Sequence, residues 1–316
     1  MPLLLLLALS RCVQAQEQPR IKTTVQLVLA PVTVTSPGGT PLDGLVQTDF
    51  NVTDNGRPVR HELESTRQPI ALVLAIQTTA AAGPAIAKVQ KIGPILQPLV
   101  AGEGGVAAVI TYGHKVAVRQ EFTPDTGLLT RAVKAVMPAG QGARLNDAAL
   151  EAVRLFAGKP NYRRVLIVIG ESKDRGSEAP LEEVVSKLQA ANVTVYALTY
   201  SVYLTPFTSK GAERFGDGSR VYDPGPFDLA AVFSEIGRLG KPKSSEALTK
   251  FTGGEQLSFS KLKGLEEVLQ KAGKDLHTQY LLAFQGSNEK VYHEIKVTVP
   301  GHPEALVRAR PGYWPD

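Results

Sequence analysis

Two carboxylates three residues apart, Glu171 and Asp174, directly follow the apolar run Val165–Ile169. Carboxyl groups placed together on a strand-end loop could act as an acid/base pair in hydrolysis. No nucleophile elbow, phosphate loop or dinucleotide fingerprint accompanies them. The five histidines (His61, His114, His277, His293 and His302) lack metal-ligand spacing, and His61-Glu62 has no second histidine of a zinc helix after it. They read as surface or edge-strand residues. A denser signal is aromatic. The segment from Tyr200 to Phe227 holds six of the chain's 20 aromatic residues. Long loops are either functional or disordered, and disordered segments are poor in aromatics. This one reads as a binding loop contacting a partner through Tyr200, Tyr203, Phe207, Phe215 and Tyr222, with local packing as the alternative.

The elements that must hold these residues fall into three zones. From about residue 69 to 277, continuous apolar runs recur: Ile70–Ile76, Val106–Ile110, Val165–Ile169 and Val193–Leu198. Such runs suit strands buried on both faces, as in a parallel sheet covered by helices. Helical patterns lie between them at Ala85–Leu96, Gly127–Val136, Asp147–Phe156 and Leu181–Ala191, with Asn146 as the expected cap of the third. Strand–helix alternation of this kind predicts a doubly wound α/β sheet. The tight link Tyr112-Gly113-His114 predicts a hairpin that adds one antiparallel edge strand. In an open sheet of this kind, ligands bind outside the carboxyl ends of the strands, which is where Gln77, Glu171 and Tyr200 fall.

The flanks read as β structure. Residues 16–68 predict strands near 22–35, 47–53 and 58–65, separated by Ser36-Pro37-Gly38-Gly39 and Asp54-Asn55-Gly56. Val25, Leu27 and Leu29 alternate on one parity and Val32 and Val34 on the other, which predicts a bulge or edge position at Pro31. Residues 278–316 predict strands at Tyr280–Phe284, Tyr292–Val299 and Leu306–Arg310. Neither flank can close a sandwich by itself, so the two are expected to share one, with the α/β domain of residues 69–277 inserted between them.

Composition bounds the rest. A chain of 316 residues, 43% hydrophobic and 21% charged, is ordinary for a folded two-domain protein. The net charge of +5 is spread without a Lys/Arg run, which disfavours nucleic acid as a partner. Residues Leu3–Leu9 and the small residues at Val13-Gln14-Ala15 read as a signal peptide, residues 1–15, cleaved after Ala15 for export to the periplasm or medium. Cleavage would also remove the sole cysteine, Cys12. No later run reaches the ~18 apolar residues of a membrane span.

Several segments together resemble a known family. The order of elements is similar to a von Willebrand factor type A domain. The stretches Pro41–Phe50, Asp54–Pro58, Arg163–Ile169 and Val307–Tyr313 resemble acidobacterial exported proteins related to that domain. The resemblance implies a protein-interaction fold whose metal-binding members hold Mg²⁺ or Mn²⁺ through an Asp-x-Ser-x-Ser motif, a distant Thr and a later Asp. The matching positions here are Gln77, Thr79, Ala81, Ala143 and Glu171, one hydroxyl and one carboxylate, so no cofactor is expected. The expectation is a non-enzymatic, extracytoplasmic protein-binding or adhesion module with a degenerate metal site. The alternatives are a hydrolase using Glu171 and Asp174 or a scaffold of an envelope assembly.

Overall fold

The computed structural model describes residues 27–64, 68–93, 104–200 and 243–315. Six strands form the central sheet: β5 (Ile70–Gln77), β6 (Val106–Tyr112), β7 (Val116–Thr123), β8 (Arg163–Gly170), β9 (Val193–Thr199) and β10 (Gln256–Ser258). Their order is β10-β9-β8-β5-β6-β7, and every neighbouring pair is parallel except β6–β7. The apolar runs become strands because both faces are covered. Ala71, Val73 and Ala75 face a core that includes α3 (Leu145–Phe156), α4 (Leu181–Ala190) and α5 (Ser244–Thr252). The alternate residues Leu72, Leu74 and Ile76 face α1 (Gly83–Val89), α2 (Thr126–Lys134) and α6 (Leu262–Thr278). This is the mixed α/β sheet that the apolar runs predict, with its antiparallel strand at the edge.

Two four-stranded antiparallel sheets stand beside it. One has the order β13-β1-β11-β4 and the other β14-β12-β2-β3. They are built from β1 (Leu27–Thr35), β2 (Asn51–Asp54), β3 (Arg57–Pro58), β4 (His61–Glu64), β11 (Tyr280–Gln285), β12 (His293–Thr298), β13 (Leu306–Ala309) and β14 (Gly312–Tyr313). Each sheet takes strands from both ends of the chain: they alternate in the first, and in the second the N-terminal pair β2–β3 joins the C-terminal pair β14–β12 through β2–β12. The inner faces share one core of Val28, Ala30, Val32, Val34, Val52, Leu282, Phe284, Ile295 and Val297 with Phe50, Tyr280 and Tyr313.

That core corrects the reading of β1. The set that faces the sandwich core is Val28, Ala30, Val32 and Val34, a single parity with no shift. Leu27 is exposed, and Leu29 and Thr33 lie on the face turned to the α/β unit. The register with β11 runs unbroken from Leu27↔Gln285 to Val32↔Tyr280, so Pro31 marks no bulge; β13 pairs only with Val32–Thr35 on the other side, which leaves Pro31 at a position open on that side, where its missing donor is tolerated. Residues 47–49 form a 3₁₀ turn ahead of β2 instead of a strand. α5, β10 and α6 occupy residues 244–278, beyond the elements expected from the apolar runs. Leu265, Leu269, Ala272 and Leu276 of α6 are buried at helical spacing, a pattern present in the sequence.

The β unit docks on the α/β unit through polar groups. Asn192 adopts φ 50° in the turn between α4 and β9, accepts the Leu29 N–H at 3.2 Å and donates to the Leu27 carbonyl at 3.3 Å. The Arg310 guanidinium donates to the Leu29 carbonyl at 3.1 Å. Gly253 ends α5 in the left-handed region at φ 78°, and a Cβ there would press to 3.0 Å from the Arg310 nitrogen and 3.2 Å from the Pro31 oxygen.

Candidate functional site

The carboxyl ends of β5, β6, β8 and β9 bring one group of side chains together. Gln77 closes β5 and is buried. Its Nε2 donates to Glu171 Oε2 at 2.9 Å and to Thr79 Oγ1 at 3.3 Å, while its Oε1 accepts the Glu171 backbone N–H at 2.6 Å. Arg175, one turn further along the loop, donates through Nη2 to the same Glu171 Oε2. Ala143 exchanges both backbone hydrogen bonds with Arg175, at 2.8 and 2.9 Å, which fixes where that arginine leaves the loop. Of the five positions that matched the metal motif, Gln77, Thr79 and Glu171 are therefore in hydrogen-bond contact. Ala143 supports them through the Arg175 backbone. Ala81 lies exposed in the 3₁₀ turn Ala80–Ala82.

Two tyrosines sit behind this network. Tyr112, at the end of β6, is fully buried, and its hydroxyl has no hydrogen-bond partner among the described residues. Gly170 ends β8 against it: a Cβ there would collide with the Tyr112 hydroxyl and come within 2.7 Å of Gln77 Oε1. Burial, followed by the charges near it on Tyr200, Glu171 and Asp174, pushes the Tyr112 phenol well above its usual range. Tyr200 follows β9, where its backbone N–H donates to the Gly170 carbonyl at 3.2 Å. Its ring meets Phe259 edge-on with centroids 5.8 Å apart. Burial and then Glu171 raise its phenol, with Arg175 opposing them. Both hydroxyls stay protonated at any physiological pH. The other aromatics of the expected binding loop, Tyr203, Phe207, Phe215 and Tyr222, lie outside the described residues.

Asp174 does not pair with Glu171. Its Oδ1 accepts the Asn146 backbone N–H at 3.0 Å and the Ser177 hydroxyl at 2.6 Å, and its Oδ2 accepts the Ser177 N–H at 3.2 Å. Ser177 Oγ in turn accepts the Asp147 N–H at 3.1 Å. The first turn of α3 is thus capped across space by the loop after β8. The expected cap, Asn146, instead lies inside the helix, buried, donating to the Ala179 carbonyl at 3.2 Å. Residue type alone suggested a local cap; the loop's two side chains reached the free N–H groups first.

The histidines also need one correction. His293 lies on interior strand β12, buried, with Nδ1 2.7 Å from Asp54 Oδ1 and its ring stacked on Tyr313 at 5.0 Å. Tyr313 donates to Asp54 Oδ2 at 2.8 Å. This is a polar core pair of the β unit, legible only once both chain ends share a sheet. Among the described residues, no three His, Cys, Asp or Glu side chains are grouped to hold a metal ion.

The von Willebrand factor type A domain family matches residues 96–213, a span that includes β6, β7, β8 and β9. No curated protein matches the chain. Among solved structures, an aerotolerance-related membrane protein from Bacteroides fragilis is 14% identical, with 65% of this chain and 98% of that one covered, at a TM-score of 0.44. BatB from Bacteroides thetaiotaomicron is 15% identical, covering 65% of this chain and 99% of that one, at a TM-score of 0.43. A von Willebrand factor type A protein from Catenulispora acidiphila is 13% identical, covering 81% and 52%, at a TM-score of 0.46. No helix among the described residues is long and apolar enough to cross a membrane.

Proposed function

We propose that this chain is a non-enzymatic protein-interaction module of the von Willebrand factor type A kind, exported by cleavage after Ala15, whose strand-end crevice works without a divalent cation. The family match over residues 96–213 carries the reading of the module. Donor chemistry supports the reading of the crevice. Mg²⁺ takes near-octahedral oxygen ligands at about 2.0–2.1 Å. Ala81 and Ala143 offer no side-chain oxygen, Gln77 a neutral one, and the Glu171 carboxylate already accepts from Gln77 and Arg175. These residues do not fit the ion. The commitment of Asp174 to capping α3 likewise leaves Glu171 without an acid/base partner.

Partner contact is assigned to the face that Glu171 and Tyr200 share, through Tyr200, Tyr203, Phe207, Phe215 and Tyr222. Buried aromatics commonly supply the dominant contacts of an interface. The test is affinity capture from the native envelope with the wild-type chain, with and without EDTA, and with Tyr203→Ala and Phe207→Ala. Capture should survive EDTA and weaken by about 2 kcal/mol or more in the variants, with Tm unchanged. Capture that needs Mg²⁺ or Mn²⁺ would overturn the cation-free reading, and lowered Tm at unchanged affinity would place these aromatics in the core.

A further inference from the structure

Arg175 is the residue of the crevice that no motif anticipated. Its guanidinium carries five N–H donors in a planar fork, and among the described residues only Nη2 is engaged, on Glu171 Oε2. Although that partner is buried, 42% of the arginine side chain remains accessible. Its backbone is pinned on both sides to Ala143, so the exposed edge of the fork has a defined direction. Two exposed lysines lie on the same pair of loops. Lys115 is exposed in the hairpin turn whose Gly113 carbonyl accepts the Arg144 N–H at 3.3 Å, and Lys173 is exposed on the Glu171 loop itself. Neither lysine has an acidic partner among the described residues. Meanwhile the local carboxylates are already engaged: Asp174 on α3, Asp147 on the Glu178 and Ala179 N–H groups, and Glu178 on Arg144.

We propose that Arg175 is a tethered cation that takes the place of a metal ion in this crevice, anchored on Glu171 and presenting its free edge to a carboxylate of the protein partner. A planar guanidinium binds carboxylates in two parallel hydrogen bonds, with directionality that a lysine lacks. Anchoring on a buried carboxylate holds the fork in place ahead of binding, so little side-chain freedom remains to be lost on contact. Lys115 and Lys173 add attraction for an acidic surface. The inference rests on the interaction-module reading and adds the chemistry of the partner.

The test uses a fluorescent hexaglutamate peptide and its hexaglutamine counterpart, followed by anisotropy on the full chain in EDTA at low salt. Hexaglutamate should bind saturably and hexaglutamine should not. Arg175→Met should weaken binding by at least about tenfold, equivalent to ~1.4 kcal/mol. Because that variant strands the buried Glu171 charge, the double variant Glu171→Gln/Arg175→Met serves as the folded control and should bind equally poorly. Glu171→Gln alone keeps the cation but frees it from its anchor, so its affinity should fall between those of wild type and Arg175→Met. Retained binding in the double variant, equal binding of hexaglutamine, or a requirement for Mn²⁺ would each overturn the proposal. Partner capture that persists while hexaglutamate fails would remove this inference and leave the module reading standing; the opposite pattern would do the reverse.

Discussion

At the scale of single residues, the crevice is held by exclusions as much as by bonds. Gly170 has no room for a methyl group, since Tyr112 and Gln77 already fill that space. Gly170→Ala should destabilise the chain by about 1–3 kcal/mol, the usual cost of overpacking. Tyr112→Phe removes a hydroxyl that is buried without a described partner, so it should leave stability unchanged or raise it by about 1 kcal/mol. In the double variant the alanine should cost less than it does alone. Urea denaturation of the four proteins checks this, and a destabilised Tyr112→Phe would show that the hydroxyl has a partner after all. Gln77, Thr79 and Glu171 were legible in the sequence because each follows a strand run. Arg175 was not, because its role depends on a backbone pairing with Ala143 that crosses 32 positions of sequence. Tyr112 was hidden by its position within an apolar strand.

At the scale of elements, the type of the buried strands could be read from their composition and the start of α4 at Leu181 from its apolar spacing, while the cap of α3 could not. An N-terminal turn needs acceptors for its free N–H groups, and the sequence offers Asn146 nearby, but Asp174 and Ser177 supply them from a loop about 30 residues away. Asp174→Ala should therefore cost about 1–2 kcal/mol, the value of losing a cap. Asp174→Asn, which keeps an acceptor oxygen, should recover part of that. Hydrogen exchange at the Asn146 amide gives a local readout: faster exchange in the alanine variant is expected, and an unchanged rate would mean that the turn is satisfied elsewhere. β1 teaches a related lesson. Both of its faces are covered, the inner by the second sheet and the outer by the α/β unit, so alternation of large apolar residues could not reveal which parity faces the core. Leu29 and Ala30 differ in size in the opposite sense to their burial.

At the scale of the whole molecule, the sheet class followed from the order of apolar runs, but the junction between the two units could not, because its residues are polar and scattered. Asp275 near the end of α6 is the hub. Its carboxylate accepts from Thr33 of β1 at 3.0 Å, from Arg308 of β13 at 2.7 Å and from the Tyr196 hydroxyl of β9. Arg308 also donates to the Gly253 carbonyl at 3.1 Å and to Thr33 Oγ1 at 3.0 Å. Burial by itself would raise the Asp275 carboxyl, but the Arg308 charge and the three hydrogen bonds outweigh it and hold the group below its ordinary value. A carboxyl whose folded pKa is depressed stabilises the fold fully above its unfolded value of about 3.9, and loses that contribution as pH falls through the folded value. Asp275→Asn should cost about 2–4 kcal/mol at pH 7; the lower part of the range for breaking a buried pair applies because Arg308 keeps 31% of its side chain accessible. Measured by urea denaturation across pH, the gap between wild type and variant should be constant from pH 7 to about 5 and narrow as pH falls below about 4. A gap undiminished at pH 3 would mean that shape and hydrogen bonding, with no contribution from the charge, join the two units at this residue.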